Sequence, residues 1–463
     1  MQKEQTKNGA SGAERGSFSG RIGYVLAVAG SAVGLGNIWK FPYLAAKYGG
    51  GAFLLVYLIL VLTFGYAMIM AETTLGRMTK KSPVGAFSSF GKSPWLKAGG
   101  WINSLVPMII VPYYCVIGGW VMKYLVEYLK GNAQLLADSQ YFGEFTTQAF
   151  GMEFWFVLFA GLTALAVAGG VEHGVERVSK IMMPILVVLA ICISIYSMTR
   201  PGAMAGVKYF FIPDFRNFSV MTVVAAMGQM FFSLSIAMGI LYTYGSYIGR
   251  DVDLEKSTAQ VEVFDTGIAI LAGLMIIPAV FAFSGGGSET LQAGPSLMFI
   301  TLPKVFASMG AANLMGVLFF VLVFFAALTS SISLMEAGVA IFSDQTGWKR
   351  GKCISVMILL ILMLGSLSAF GFNLLDSVLI FGMGFLDFFD FLSNSVMMPI
   401  AALATCVLVF KVVGRERFAE EVELSSKFNR KKMFNVVIKY VAPVFLVIIL
   451  LSSIANVLGI IKM

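Results

Sequence analysis

The stretch Gly30-Ser31-Ala32-Val33-Gly34-Leu35-Gly36-Asn37 puts three glycines, a serine and an asparagine in the middle of an apolar segment long enough to cross a bilayer. Glycine weakens a helix by roughly 1 kcal/mol against alanine. Backbone left unpaired in hydrocarbon is costlier still, so a membrane helix stays broken only where it lines a cavity or binds something. The break is a candidate binding site.

Composition fixes the class around it. Of 463 residues 58% are hydrophobic and 13% charged, which describes a polytopic membrane protein. Eleven apolar stretches reach the roughly 20 residues a span needs: 22–43, 49–75, 98–128, 153–170, 179–199, 219–247, 262–283, 313–342, 353–370, 378–410 and 434–459. An odd number puts the termini on opposite sides. With the N-terminus inside, 23 of the 33 basic residues fall on the cytoplasmic side, so the net charge of +8 reports topology and calls for no nucleic-acid partner. Residues 1–21 carry no apolar core and read as a cytoplasmic tail, not a removed signal peptide. The basic run Arg430-Lys431-Lys432 reads as a loop face near lipid headgroups. Cys115, Cys192, Cys353 and Cys406 have no CxxC spacing and read as small core residues. Outside, 129–152 and 284–312 are long enough to fold locally, the second as a glycine hinge and short hairpin that lids an outer vestibule.

A second interruption lies in the sixth stretch, where Ser233, Ser235 and Gly239 sit at mid-membrane in the position matching the first break if spans one to five and six to ten are two repeats. Five spans reverse the membrane sense, so the repeats are inverted. Interrupted helices at equivalent places in inverted halves are a sign of a secondary transporter; two ordinary kinks packed through small residues are the plainer reading. Thr329-Ser330-Ser331 in the eighth span offers hard hydroxyl oxygens for an alkali cation, or simply bonds back to carbonyls one turn earlier. Glu72, Asp265, Asp387 and Asp390 are carboxylates at membrane depth, each costing about 2.5–3.5 kcal/mol unless paired or hydrated. Asp265 can ligate a cation; Lys40 and Asp390 can pair across a pathway; Glu72 serves as an acceptor for freed backbone or as a proton site. The single histidine, His173, lies in a short loop, so no Ser-His-Asp or Cys-His set can be assembled and an enzyme is not expected. Polar groups at one depth do not line a continuous pore, which disfavours a channel.

These motifs, with Ile38-Trp39-Lys40-Phe41-Pro42-Tyr43, Gly49-Gly50-Gly51, Gly228-Gln229, Ala326-Ala327-Leu328-Thr329-Ser330-Ser331 and Leu386-Asp387-Phe388-Phe389-Asp390, resemble the neurotransmitter:sodium symporter family over essentially the whole chain. The resemblance is to its bacterial members, close to the multi-hydrophobic amino-acid transporter branch. It implies an all-α, LeuT-like fold of eleven transmembrane helices with a 5+5 inverted repeat, helices 1 and 6 unwound. Residues 22–459 would form one transporter domain, with repeats at about 22–200 and 219–410 and helix 11 at about 434–459. Gly174 and Pro184 resemble the motif that lets the fifth helix unwind.

By position, the resemblance implies two sodium ions. One site takes carbonyls of Gly30, Val33 and Ala326 with the hydroxyls of Thr329 and Ser330. The other takes the Ala32 carbonyl, Asn37, Ser233, Asp265 and the substrate's own carboxylate. Chloride-dependent members hold a halide near the positions of Tyr57, Gln229 and Ser233; Asp265 here supplies a fixed negative charge, which implies chloride independence. Gly34 stands where monoamine carriers have an aspartate and leaves room for a substrate bringing its own carboxylate, hence an amino acid. The implied substrate residues are Ser31, Ala32, Leu35, Gly36, Ile110, Tyr114, Phe232, Ser233, Ser235, Met238, Ser330 and Leu334, with Ala237 and Met238 on the far wall giving room for hydrophobic or aromatic side chains. Lys40 with Asp390 would form the outer gate above the substrate, with Phe232 as an aromatic lid. Arg15 with Asp344, beside Phe18 and Tyr247, would form the inner one. A bacterial plasma-membrane location with an outside C-terminus follows. The competing reading is a proton-coupled amino-acid carrier using Asp265 or Glu72.

Overall fold

The structure is a computed structural model and describes residues 16–284 and 295–457. Among these, every regular element is a helix, with two isolated bridges between Gly50 and Pro213 and between Ile380 and Met383. Nine continuous helices are long and apolar enough to cross a membrane, from Gly51–Thr79 to Lys431–Ala455. The first span is a bent pair, Arg21–Ala32 and Gly36–Lys47, turning by 52° at the glycine-rich break. The sixth is also interrupted, into Val220–Ser233 and Ile240–Ser246, and counting it makes the list compatible with eleven spans.

The second break is built from left-handed backbone at Ser235, Ala237 and Gly239. Only glycine adopts that conformation without strain; each of the other two costs about 1–2 kcal/mol. Side chains of neighbouring spans satisfy the backbone the breaks set free. The Ala237 N–H donates to Glu72 Oε1 at 2.9 Å, the Leu35 N–H donates to the Tyr114 hydroxyl at 3.1 Å, and Gln229 Nε2 donates to the Gly36 carbonyl at 2.9 Å. Glu72, completely buried, thus acts as a backbone acceptor.

Several boundaries differ from the sequence reading. The seventh span starts at Leu254 and not 262, because Leu254, Ser257, Thr258 and Val261 are buried and extend its packed face. The tenth starts at Phe385, after left-handed Phe381 and Gly382 close a turn. Each of the fourth and fifth spans begins about four to eight residues early, Val171–Met198 opening with a π-helical turn. In that turn a Cβ at Gly174 would meet the Ala166 carbonyl at 2.1 Å, so only glycine fits.

At one end of the bundle the segment Leu297–Ser308 packs on the third and eighth spans through an aromatic cluster. Phe299 stacks on Phe142 at 5.1 Å and meets Tyr124 at 4.9 Å, whose hydroxyl donates to the Phe299 carbonyl. These contacts hold Leu297–Ser308 against the bundle. The glycine hinge expected at 285–287 lies outside the described residues, as do residues 1–15.

Candidate functional site

Both breaks face one narrow cavity. Its lining includes Ser31, Ala32, Gly36, Ile110, Tyr114, Phe232, Ser233, Ser235, Met238, Ser330 and Leu334. Leu35, expected among them, lines an outer cavity with Trp39, Lys40 and Asp390 instead. Its backbone N–H is held by the Tyr114 hydroxyl. Ala237 also departs from expectation: it is fully buried, absent from the lining, and its N–H is held by Glu72. The far wall is therefore Met238 and Ile240. The sequence reading missed Ile240, whose signal is its place as the first helical residue after Gly239.

The lining mixes hydroxyl and apolar groups. Ser31 and Ser235 hydroxyls lie 3.0 Å apart and Ser235 also donates to the Ser31 carbonyl; Ile110, Met238, Ile240, Leu334 and Phe232 supply apolar surface. No charged side chain is in the lining. Gly34 is required by close approach, since a Cβ there would stand 2.7 Å from Ser330 Oγ and 2.8 Å from the Tyr114 hydroxyl.

Beside the cavity, Asp265 is wholly buried. Its carboxylate accepts from Asn37 Nδ2 at 2.7 Å, Ser233 Oγ at 2.6 Å and the Tyr57 hydroxyl at 3.0 Å. Asn37 Oδ1 in turn accepts from the Gly34 N–H. The four side chains thus gather oxygens from the first, second, sixth and seventh spans at one point.

A second group forms where the first span meets the eighth. Ser330 Oγ lies 3.1 Å from the Ser31 carbonyl and 3.4 Å from that of Gly30, and the Thr329 hydroxyl bonds back to the carbonyls of Phe325 and Ala326. The Thr329 Cβ is 3.4 Å from where a Cβ on Gly30 would stand. Gly30, Ala326, Thr329 and Ser330 thus meet, and Val33 lies beside them at the helix break, where its backbone turns extended. All the oxygens are carbonyl or hydroxyl, the hard donors that suit an alkali cation.

The expected outer pair is not made. Lys40 Nζ sits over the Phe232 ring at 5.1 Å, and Asp390 accepts from Asn394 Nδ2 at 2.6 Å and the Tyr113 hydroxyl at 3.3 Å. These neighbours satisfy the carboxylate locally, and Lys40 remains at the vestibule wall. At the other end Phe18 is buried against Tyr24, Tyr244 and Tyr247, its N–H donating to the Tyr247 carbonyl. The Tyr247 hydroxyl donates to Glu336, which also pairs with Arg350; neither residue was singled out from sequence. Asp344 accepts from the Ser82 N–H at 2.6 Å. Arg15, its expected partner, lies outside the described residues.

The comparisons with known proteins agree with this architecture. A family model described as the sodium:neurotransmitter symporter family matches residues 15–136 and 142–461. The sodium-dependent transporter YhdH of Bacillus subtilis is 33% identical over 446 residues, covering 94% of this chain and 97% of its own. A sodium-dependent transporter of Haemophilus influenzae is 33% identical over 456 residues, 95% and 98% of the two chains. The crystal structure of MhsT in complex with L-phenylalanine superposes with a TM-score of 0.86 at 36% identity, covering 95% of this chain and all of that one. The protein is thus a sodium-coupled multi-pass transporter and not an enzyme, and the chain belongs to the sodium:neurotransmitter symporter family.

Proposed function

We propose that this protein imports neutral, hydrophobic or aromatic L-amino acids together with sodium by alternating access, without chloride. The observation that carries the reading is the lining of the central cavity: the two helix breaks with their hydroxyls, the apolar Ile110, Met238, Leu334 and Phe232, and no charged side chain to match a Lys, Arg, Asp or Glu substrate. A zwitterion's carboxylate and ammonium suit the broken ends of the first and sixth spans, whose half-helix termini carry partial charges of both signs. That MhsT was solved with L-phenylalanine supports a substrate of this class.

Two sodium ions accompany it. The first is held by Asp265, Asn37, Ser233 and the Ala32 carbonyl, and by the substrate carboxylate. The second is held by carbonyls of Gly30, Val33 and Ala326 with Thr329 and Ser330. Each ion joins a broken helix to a continuous one, so sodium and substrate raise each other's affinity by linkage. Asp265 supplies the negative charge that a halide would bring. Lys40, Phe232 and Asp390 form the outer gate, and Arg15, Phe18, Tyr247 and Asp344 the inner one. Residues 1–21 form a cytoplasmic tail, 22–459 one transporter domain with repeats at about 22–200 and 219–410, and the C-terminus lies outside the plasma membrane.

The test is uptake of labelled phenylalanine into proteoliposomes at fixed pH, with external sodium replaced by choline and the other amino acids as competitors. Uptake should vanish in choline and be competed best by large apolar amino acids. Uptake surviving in choline, or strong competition by lysine or glutamate, would refute the proposal.

A further inference from the structure

Around the link from the tenth span to the eleventh, two groups of basic residues differ in their partners. Arg77, Arg430 and Lys431 are ion-paired, to Glu421 at 2.8 Å, Glu262 at 3.2 Å and Glu423 at 3.0 Å. Lys411, Arg415 and Lys439 have no carboxylate within ion-pair distance among the described residues. Arg415 and Lys439 meet instead at one ring. The Arg415 guanidinium carbon is 5.5 Å and Lys439 Nζ 5.2 Å from the centroid of Phe410, and Lys439 is also 4.5 Å from that of Tyr440. Lys411 follows Phe410 in the chain and is exposed. An aromatic face attracts a cation but neutralises no charge and accepts none of its remaining N–H bonds. Two cations placed around one ring raise the local positive potential, which a bound anion would lower.

The surface running away from this cluster is apolar. Val436, Tyr440, Val444, Val447 and Leu451 recur at intervals of four and three along the eleventh span and are all exposed, as is Val407 on the tenth. Residues at that spacing share one helix face, and in a membrane span such a face meets acyl chains. Tyr440 stands where the stripe reaches the cations, the depth at which tyrosine marks the membrane interface. An apolar stripe ending in unpaired cations is complementary to one class of molecule, an anionic phospholipid.

We propose that Lys411, Arg415 and Lys439 bind the headgroup phosphate of an anionic phospholipid whose chains lie along Val444, Val447 and Leu451. The site adjoins the helix Arg415–Glu423, whose Glu421 holds Arg77 of the second span. The bound lipid thus braces the linker on which a span next to the substrate site is anchored.

The experiment uses delipidated full-length protein in detergent, supplied with graded phosphatidylglycerol or phosphatidylcholine, with bound lipid counted by native mass spectrometry. Each cation at such a surface is worth roughly fivefold in affinity, so R415Q/K439Q should weaken phosphatidylglycerol retention about 25-fold. R415K/K439R should retain it, and Lys431→Gln, whose cation is already paired, should change nothing. Helicity and size-exclusion elution check the fold; if the double variant fails them, Lys439→Gln alone carries the test with a roughly fivefold loss. Equal retention by R415Q/K439Q and wild type, equal affinity for phosphatidylcholine, or the same loss in Lys431→Gln would overturn the site. Thermal protection by inorganic phosphate equal to that by phosphatidylglycerol would assign the cluster to a soluble anion and overturn it as well.

Discussion

Replacing Asp265 by serine removes a buried carboxylate that accepts three hydrogen bonds, from Asn37, Ser233 and Tyr57. In the proposed mechanism its charge faces the first sodium ion. At about 4 Å and an effective dielectric of about 20, opposite unit charges attract by about 4 kcal/mol, close to three decades of sodium affinity at about 1.4 kcal/mol per decade. The serine also leaves donors without an acceptor, at about 1–3 kcal/mol for each buried one. Tyr57 and Ser233 hydroxyls already lie 3.3 Å apart around the vacated space, so a chloride ion entering it would accept from both and restore the charge. In proteoliposomes at fixed sodium, Asp265→Ser should be close to inactive in gluconate and recover in chloride, with half-saturating sodium raised by two to three orders of magnitude without the halide, as the same estimate requires. Wild type should be indifferent to the exchange. Asp265→Asn, which fills the space with an uncharged amide, should lose activity without chloride rescue. Full activity of Asp265→Ser in gluconate, or chloride stimulation of the wild type, would refute the reasoning.

The second ion site is tested by Thr329→Ala with Ser330→Ala, which should abolish sodium-dependent uptake while the helicity measured by circular dichroism stays unchanged. Gly34→Ala places a methyl group 2.7 Å from Ser330 Oγ and 2.8 Å from the Tyr114 hydroxyl; overpacking of about 1–3 kcal/mol should weaken substrate binding roughly 5- to 150-fold in a competition assay. Met238→Phe should exclude tryptophan while sparing alanine, because Met238 borders the cavity, whereas equal weakening of both would mean damage to the break. Arg77 is fully buried and hydrogen-bonded to Glu421, Ser425 and the Val252 carbonyl; Arg77→Ala strands Glu421 and should cost about 3–5 kcal/mol, read as a lower thermal unfolding midpoint.

How far the sequence carries depends on whether a feature is local. The first break is legible because Gly34 and Gly36 are poor helix residues at a depth where nothing else excuses them, and the structure bends there. Asp265 is legible as a costly buried charge. The left-handed Ser235 and Ala237 are not, because each opposes its own local preference and the contact that satisfies Ala237 comes from Glu72, in a different span. The same loss of local control explains why Ala237 is off the cavity wall. Helical periodicity assigns a residue to a face only while the helix lasts, and one positive φ re-aims every side chain that follows.

Opposite charges at similar depth likewise predict a meeting only when nothing nearer competes. Asp390 has Asn394 one turn along its own helix and the Tyr113 hydroxyl facing it, so it is hydrogen-bonded before Lys40 arrives. Lys40 rests on Phe232, the ring that borders both the central and the outer cavities. The same lysine therefore reads the position of the aromatic lid, and pairing with Asp390 would require it to leave that ring. In the proposed gate, closure of the outer side would exchange one weak contact for another: a cation–π contact of about 0.5–1 kcal/mol at an exposed site against an ion pair of similar worth. Two arrangements so close in energy suit a gate whose position is set by the ligands below it.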